Sequence, residues 1–190
     1  MDFWSQVMCE NTHRHNSAAN LEHWACRERF VSFRRREKIV ETIVSAVTQT
    51  DWERWLPLWE GYNTFYERVG PTALPETVTR TTWARFFDPA EPVHALVAEA
   101  DGELVGLVHY LFHRSTTMIA PICYLQDLFT SPAARGKGVG RALIEAVYDR
   151  ARRAGSTRVY WQTHETNAVA RRLYDQVSVR SGFIVYRTEV

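Results

Sequence analysis

Arg135-Gly136-Lys137-Gly138-Val139-Gly140 lies between an apolar run, Ile122 to Thr130, and an amphipathic run that begins at Arg141. This order predicts a strand, a glycine-rich loop and a helix N-terminus. The first amides of a helix have no intrahelical acceptor and stand at the positive end of the helix dipole, so the arrangement makes an anion site suited to a pyrophosphate. Glycine lets the backbone come close to that anion. Spacing excludes two other phosphate loops. A dinucleotide loop, G-x-G-x-x-G, would need glycine at Arg141 or Leu143, and a nucleotide P-loop would need Ser or Thr where Gly138 follows the Gly136-Lys137 pair.

The spacing that fits is R-x-x-G-x-G, and its neighbours extend it. Leu125-Gln126-Asp127-Leu128-Phe129-Thr130 is an acid-bearing apolar strand directly ahead of the loop. Downstream come Val159-Tyr160-Trp161-Gln162-Thr163, a second strand, and Asn167-Ala168-Val169-Ala170-Arg171-Arg172-Leu173-Tyr174, an N-x6-Y helix. These linked motifs resemble the GNAT superfamily of acetyl-CoA-dependent N-acetyltransferases. The pattern is most similar to the histone and polyamine acetyltransferase-like branch, which shares the V-Y-W strand, the T-x-E-x-N turn and L-Y.

The resemblance implies an α/β fold: a mixed, mostly antiparallel sheet flanked by helices, with a splayed central strand pair. It implies acetyl-CoA as cosubstrate. The backbone of Leu128, Phe129 and Thr130 would follow the pantetheine arm, and Arg135, Gly136, Lys137, Gly138, Val139, Gly140 and Arg141 would hold the pyrophosphate, with Asn167 and Ala170 beside the donor. Tyr174 matches the family tyrosine that protonates the departing thiolate. Tyr160, Trp161 and Gln162 are carried over as acceptor-side residues, joined by Tyr62, Tyr66 and Glu165. A homodimer is implied as well.

A thioester is already activated, so the remaining burden falls on the amine. An alkyl ammonium with a pKa near 10 must lose a proton at neutral pH, which costs about 4 kcal/mol over roughly three pH units. A base or a water chain is therefore expected. Gln126 stands where relatives often carry Glu, and an amide cannot accept that proton. Asp127, turned inward by a bulge, and Glu165, just past the Trp161 strand, are the two acids in reach. The function implied is transfer of acetyl from acetyl-CoA, by direct attack, to a primary amine of a small molecule that is polyamine-like or amino-acid-like. A protein lysine as acceptor and a catalytically silent acetyl-CoA-binding module are the alternatives.

The rest of the chain bounds these expectations. With 190 residues, 45% hydrophobic and 24% charged, the chain suits one soluble domain with a sizeable core. A net charge of +1 gives no reason to expect nucleic acid or a membrane as partner. Three cysteines, Cys9, Cys26 and Cys123, form no disulfide framework and fit a reducing, cytoplasmic location. Residues 1–38 read as an N-terminal arm ahead of a domain at 39–190. The arm carries Cys9, His13, His15, His23 and Cys26, whose spacing matches no paired zinc ligands, so no metal is expected. Its Arg34-Arg35-Arg36 run reads as a solvated face.

Within the domain, Ile39 to Thr48 reads as the first strand, and Asp51 as the cap of a helix bearing Trp52, Trp55, Leu56, Trp59, Tyr62 and Tyr66 at helical spacing. Pro57 should kink or restart it. A second helix follows near Glu76 to Phe87. His94 to Ala100 and Glu103 to His113 read as central strands joined by an Asp101-Gly102 hairpin turn. His109 and His113 share a face and read as ordinary packed or surface histidines. Beyond the glycine loop, Val139, Leu143, Ala146, Val147 and Ala151 form an apolar stripe that stops at Gly155. Arg158 to Thr163 reads as a strand, Asn167 to about Arg180 as a helix, and Phe183 to Arg187 as a last strand.

Overall fold

Apolar residues on both faces of two consecutive runs demand cover on both sides, and the two runs form the middle of the sheet. The computed structural model describes residues 41–190; the arm, with its cysteines, histidines and Arg34-Arg35-Arg36, and the start of the first predicted strand at Ile39 lie outside the described residues. In chain order the elements are β1 (Ile43–Ala46), α1 (Trp52–Phe65), α2 (Glu76–Arg85), β2 (Val93–Ala100), β3 (Glu103–His113), β4 (Ile122–Thr130), α3 (Val139–Arg153), β5 (Val159–Tyr160) and α4 (Ala168–Val177). The strands lie in the order β1-β2-β3-β4-β5, antiparallel except for the parallel β4–β5 pair. Asp101 (φ 50°) and Gly102 (φ 82°) both take left-handed backbone in the β2–β3 turn, the geometry that matches strand twist.

The two faces of the sheet differ in kind. On one, α3 buries Val139, Leu143, Ile144, Val147 and Ala151 against Leu96, Val108, Cys123 and Leu125. Full burial of such an aliphatic side chain stabilises by about 1.5–3 kcal/mol, so this stripe fixes the helix on the sheet. On the other face, Trp55, Leu58, Trp59 and Tyr62 of α1 pack with Val97, Leu107 and Phe129, flanked by Trp83 and Phe86. Gly61 permits the approach there: a Cβ would stand 2.7 Å from Phe129 Cζ.

Several expectations are corrected. α1 runs unbroken through Pro57; the burial of Trp55, Leu58 and Trp59 outweighs one missing hydrogen bond. Asp51 does not cap α1 with its side chain. It turns back to accept from the Thr48 N–H at 2.9 Å and to pair with Arg54 at 3.4 Å. Among the described residues the first strand spans only Ile43–Ala46, and α3 starts at Val139 rather than Arg141. The strand predicted over Arg158 to Thr163 is two residues long, because β4 leaves its neighbour after Tyr124. α4 ends at Val177, three residues earlier than expected. Phe183 to Arg187 form no strand. A strand needs a ladder to join, and β5 offers two residues.

Candidate active site

Side chains alternate across a strand, so one extra residue exchanges its two faces. In β4 that residue is Gln126. His109 pairs with Asp127 and Tyr110 with Leu125, which leaves Gln126 without a cross-strand partner and exposed. Before the bulge, Cys123 and Leu125 face α3; after it, Leu128 takes that side, and Asp127 and Phe129 face α1. Directly ahead of the bulge, β4 and β5 part after the Tyr124–Tyr160 pair. The opening predicted between a splayed strand pair is therefore present, and its main-chain groups past Tyr124 on that edge are released from the ladder.

The bulge delivers Asp127 to a prepared setting. His109 is 2% and Asp127 8% exposed. Trp55 Nε1 only donates, so His109 Nε2 accepts from it at 3.1 Å, and the ring proton lies on Nδ1, which donates to Asp127 Oδ2 at 2.9 Å. Burial pushes the Tyr62 phenol far up, and the neighbouring Asp127 carboxylate adds to the rise. A carboxylate has about four acceptor positions, and these two neighbours leave room for an incoming ammonium. The aromatic wall continues outward: Trp59 stacks on Tyr62 at 5.4 Å, and Tyr66 stands 5.0 Å from Tyr62.

Tyr66 links the acid and base candidates. Its phenol is raised by burial and then by the Asp127 charge, while Tyr174 is pushed up to about 12, first by burial and then by Tyr66. A Tyr174 hydroxyl held neutral at physiological pH can serve as a proton donor. Trp161 meets Tyr174 edge-on at 5.4 Å, on the α3 side of the sheet, so it supports that ring from behind. Tyr160 turns the other way, bonding to His113 Nε2 at 3.1 Å and lying 4.8 Å from Tyr124. Gln162 and Glu165 are exposed in the segment before α4. Asn167 caps α4, its side chain accepting from the Ala170 N–H at 3.3 Å and donating to Thr163 at 3.2 Å.

The glycine loop leads into a helix start with free amides. Gly136 (φ 76°) and Gly138 (φ 86°) take left-handed backbone, and Gly138 is the N-cap of α3. The first helical bond runs from the Ala142 N–H to the Gly138 carbonyl at 3.0 Å, so the amides of Val139, Gly140 and Arg141 have no helical acceptor. A Cβ at Gly140 would meet Leu173 Cδ2 at 3.3 Å and Thr130 Oγ1 at 3.7 Å. No acid lies in the first turn of α3 to oppose an anion. Arg135 reaches back to the Thr130 carbonyl at 3.3 Å, Lys137 is exposed, and Arg141 joins α3 to Gln176 of α4 at 2.5 Å. Leu128 and Phe129 pack on opposite faces of the sheet, leaving only their main chain for the donor.

His109 and Trp55 are the residues that sequence reasoning missed. The period of two placed His109 on a face, but only the β3–β4 register sets it opposite Asp127.

Known proteins share the family and the fold. The acetyltransferase (GNAT) family model matches residues 52–178. The D-amino-acid N-acetyltransferase HPA3 of Saccharomyces cerevisiae is 37% identical over 155 residues, covering 80% of this chain and 94% of the relative. The uncharacterized N-acetyltransferase YhfO of Bacillus subtilis is 32% identical over 132 residues, 68% of this chain and 85% of its own. The fold matches that of the aminoglycoside N-acetyltransferase AAC(6')-Iy in complex with CoA, with a TM-score of 0.67 at 16% identity over 79% of this chain and 95% of that one. The family match spans well over half of the chain, and both relatives are N-acetyltransferases: the chain belongs to the GNAT family and is an acetyl-CoA-dependent N-acetyltransferase.

Proposed function

We propose that the protein acetylates the primary amine of a small, amino-acid-like molecule, with Asp127 as base and Tyr174 as acid. The observation that carries this reading is the buried Asp127 carboxylate, turned inward by the bulge at Gln126 and held by His109, next to the opening between β4 and β5. Acetyl-CoA supplies an activated acyl group. Asp127 receives the ammonium in a cleft walled by Tyr62 and Tyr66 and takes its proton, while His109 and Trp55 hold the carboxylate in orientation. Tyr174 gives a proton to the departing sulfur. The α3 amides and Gly138 hold the pyrophosphate, and the β4 edge after the bulge holds the pantetheine arm.

Two features favour catalysis over a silent binding module: a buried carboxylate with spare acceptor capacity and a phenol kept protonated. The yeast relative's D-amino-acid acceptors favour amino acids over polyamines. Glu165, exposed, has no comparable setting. The test is release of free CoA with a panel of amino acids, polyamines and a lysine peptide. Turnover on amino acids above the others supports the reading, and turnover confined to the peptide overturns it.

The homodimer belongs to the same proposal. Phe183, Ile184, Val185 and Tyr186 are exposed near the C-terminus, and a second copy of the chain would cover them; light scattering of the protein and of a chain ending at Arg180 checks this. The reducing, cytoplasmic setting fits Cys123, a buried free thiol pushed up to about 12 by burial, and cell fractionation tests it. Residues 1–38 are proposed to be dispensable, as the family match begins at residue 52; a chain starting at Lys38 should keep its acetyl-CoA affinity.

A further inference from the structure

The turn that ends α1 carries a cation which the mechanism above does not use. Glu67 takes a left-handed conformation (φ 58°), where glycine is the usual residue. The Glu67 N–H bonds to the Thr64 carbonyl and the Arg68 N–H to the Asn63 carbonyl, both at 3.0 Å. This pair of bonds folds the chain back over the last helical turn and brings Arg68 with it. A non-glycine residue in that region stores strain that the surroundings must maintain, a feature that collects at ligand clamps.

The side chain is held as firmly as the backbone. Arg68 Nη1 donates to Asn63 Oδ1 at 3.1 Å; Asn63 is buried and is itself anchored by donating to the Trp59 carbonyl at 2.8 Å. The guanidinium carbon lies 5.4 Å from the Tyr66 ring centre and 5.9 Å from that of Tyr62. Among the described residues no carboxylate forms an ion pair with Arg68. The rings it covers are those whose hydroxyls feel Asp127, and its charge opposes that of Asp127 at both phenols. An anion and an uncompensated cation therefore flank one pair of tyrosines.

We propose that Arg68 receives the substrate carboxylate, so that an α-amino acid lies across Tyr62 and Tyr66 with its amine toward Asp127 and its carboxylate on the guanidinium. This rests on the acceptor site proposed above and makes it selective. The guanidinium presents donors in a plane matched to a carboxylate, and one contact with Asn63 leaves most of them free. A polyamine would bring a second ammonium against Arg68.

The experiment compares leucine in both enantiomers, leucinamide, isoamylamine and spermidine as acceptors, for the intact protein and for Arg68→Gln and Arg68→Lys. The native protein should prefer leucine. Arg68→Gln should lower kcat/KM for leucine about 10- to 100-fold, mostly through KM, as expected for loss of a charged hydrogen-bonded pair. It should spare isoamylamine and improve spermidine. Arg68→Lys should fall between. Equal losses on every acceptor, or a native protein indifferent to the carboxylate, would overturn the assignment while leaving the catalytic reading intact. Calorimetry of leucine and isoamylamine with CoA present separates the two. Leucine binding that depends on Arg68 without acetyl transfer would keep the carboxylate site and remove the catalytic roles.

Discussion

The two halves of the cleft are built from different materials. The proposed donor half, from β4 through the glycine loop into α3, offers main-chain amides and missing Cβ atoms, and its side chains pack into the core or point into solvent. The acceptor half works with side chains: Asp127, His109 and Trp55 in a hydrogen-bonded row, walled by tyrosines. A backbone site tolerates exchange of most side chains and fails when glycine is lost. A side-chain site fails residue by residue, each with its own pH dependence. Amine chemistry varies among substrates and CoA does not, so specificity belongs in the second kind of site.

Substitutions that preserve shape test this contrast. The largest effect is expected from Asp127→Asn, which keeps volume and removes the proton acceptor. Turnover at pH 7 should fall by roughly 10²–10⁴-fold, the range for a positioned base, with CoA affinity unchanged. The deficit should shrink as pH rises and free amine accumulates. A loss that is the same at every pH would make Asp127 a binding group and blur the division between the halves.

Tyr174→Phe comes next, with turnover lower by about a hundredfold and CoA binding retained. The pKa sign is specific. Because Tyr174 is raised from 10 to about 12, its acid form persists through ordinary alkaline buffers, so the native pH–rate profile should show no loss from this residue below about pH 10. In the unfolded chain the phenol ionises from its usual value upward, so the stability linked to the raised pKa is present below pH 10 and lost as pH approaches about 12. An alkaline limb near pH 8 that vanishes in Tyr174→Phe would contradict this environment.

In the donor half, Gly138→Val places a β-branched residue at φ 86°. Strain of roughly 1–3 kcal/mol should lower acetyl-CoA affinity by about ten- to a hundredfold, read by calorimetry, while circular dichroism keeps its native form. Unchanged affinity would mean that side chains hold the donor after all. The smallest change is expected from His109→Leu, which leaves the Trp55 N–H without its acceptor and Asp127 without one donor. The cost should be about 1–3 kcal/mol in denaturant unfolding. CoA affinity should be unaffected, which separates this loss from that of Gly138→Val.

How far the sequence could be read follows the same division. The donor half was legible because glycine spacing, helix start and apolar stripe are local: Arg135 to Gly140, the hairpin at Asp101-Gly102 and the buried Val139, Leu143 and Val147 stand as expected. Family resemblance supplies Tyr174 as the acid, whereas Asp127 is a candidate because Gln126 departs from the family pattern, and Tyr62 and Tyr66 are named without a relation to either. Pro57 was read by propensity alone, whereas tertiary packing carries the helix through it. The apolar, β-branched and aromatic run Phe183 to Tyr186 has strand character, which says nothing about whether a ladder is there to receive it.

By itself the sequence determined the elements whose signals lie within one turn or one strand, and through them an anion-binding helix start on an α/β scaffold. Only the tertiary structure decided which polar side chain of β4 turns inward. Gln126 and Asp127 are neighbours in a run of uniform strand character, and the bulge that expels one and buries the other exists because β3 pairs around it. Asp127 is held by His109, which is held in turn by Trp55, with the Tyr62 phenol nearby, all at distances in sequence that no local period spans. Register and burial are properties of pairs of segments, and a single segment does not carry them.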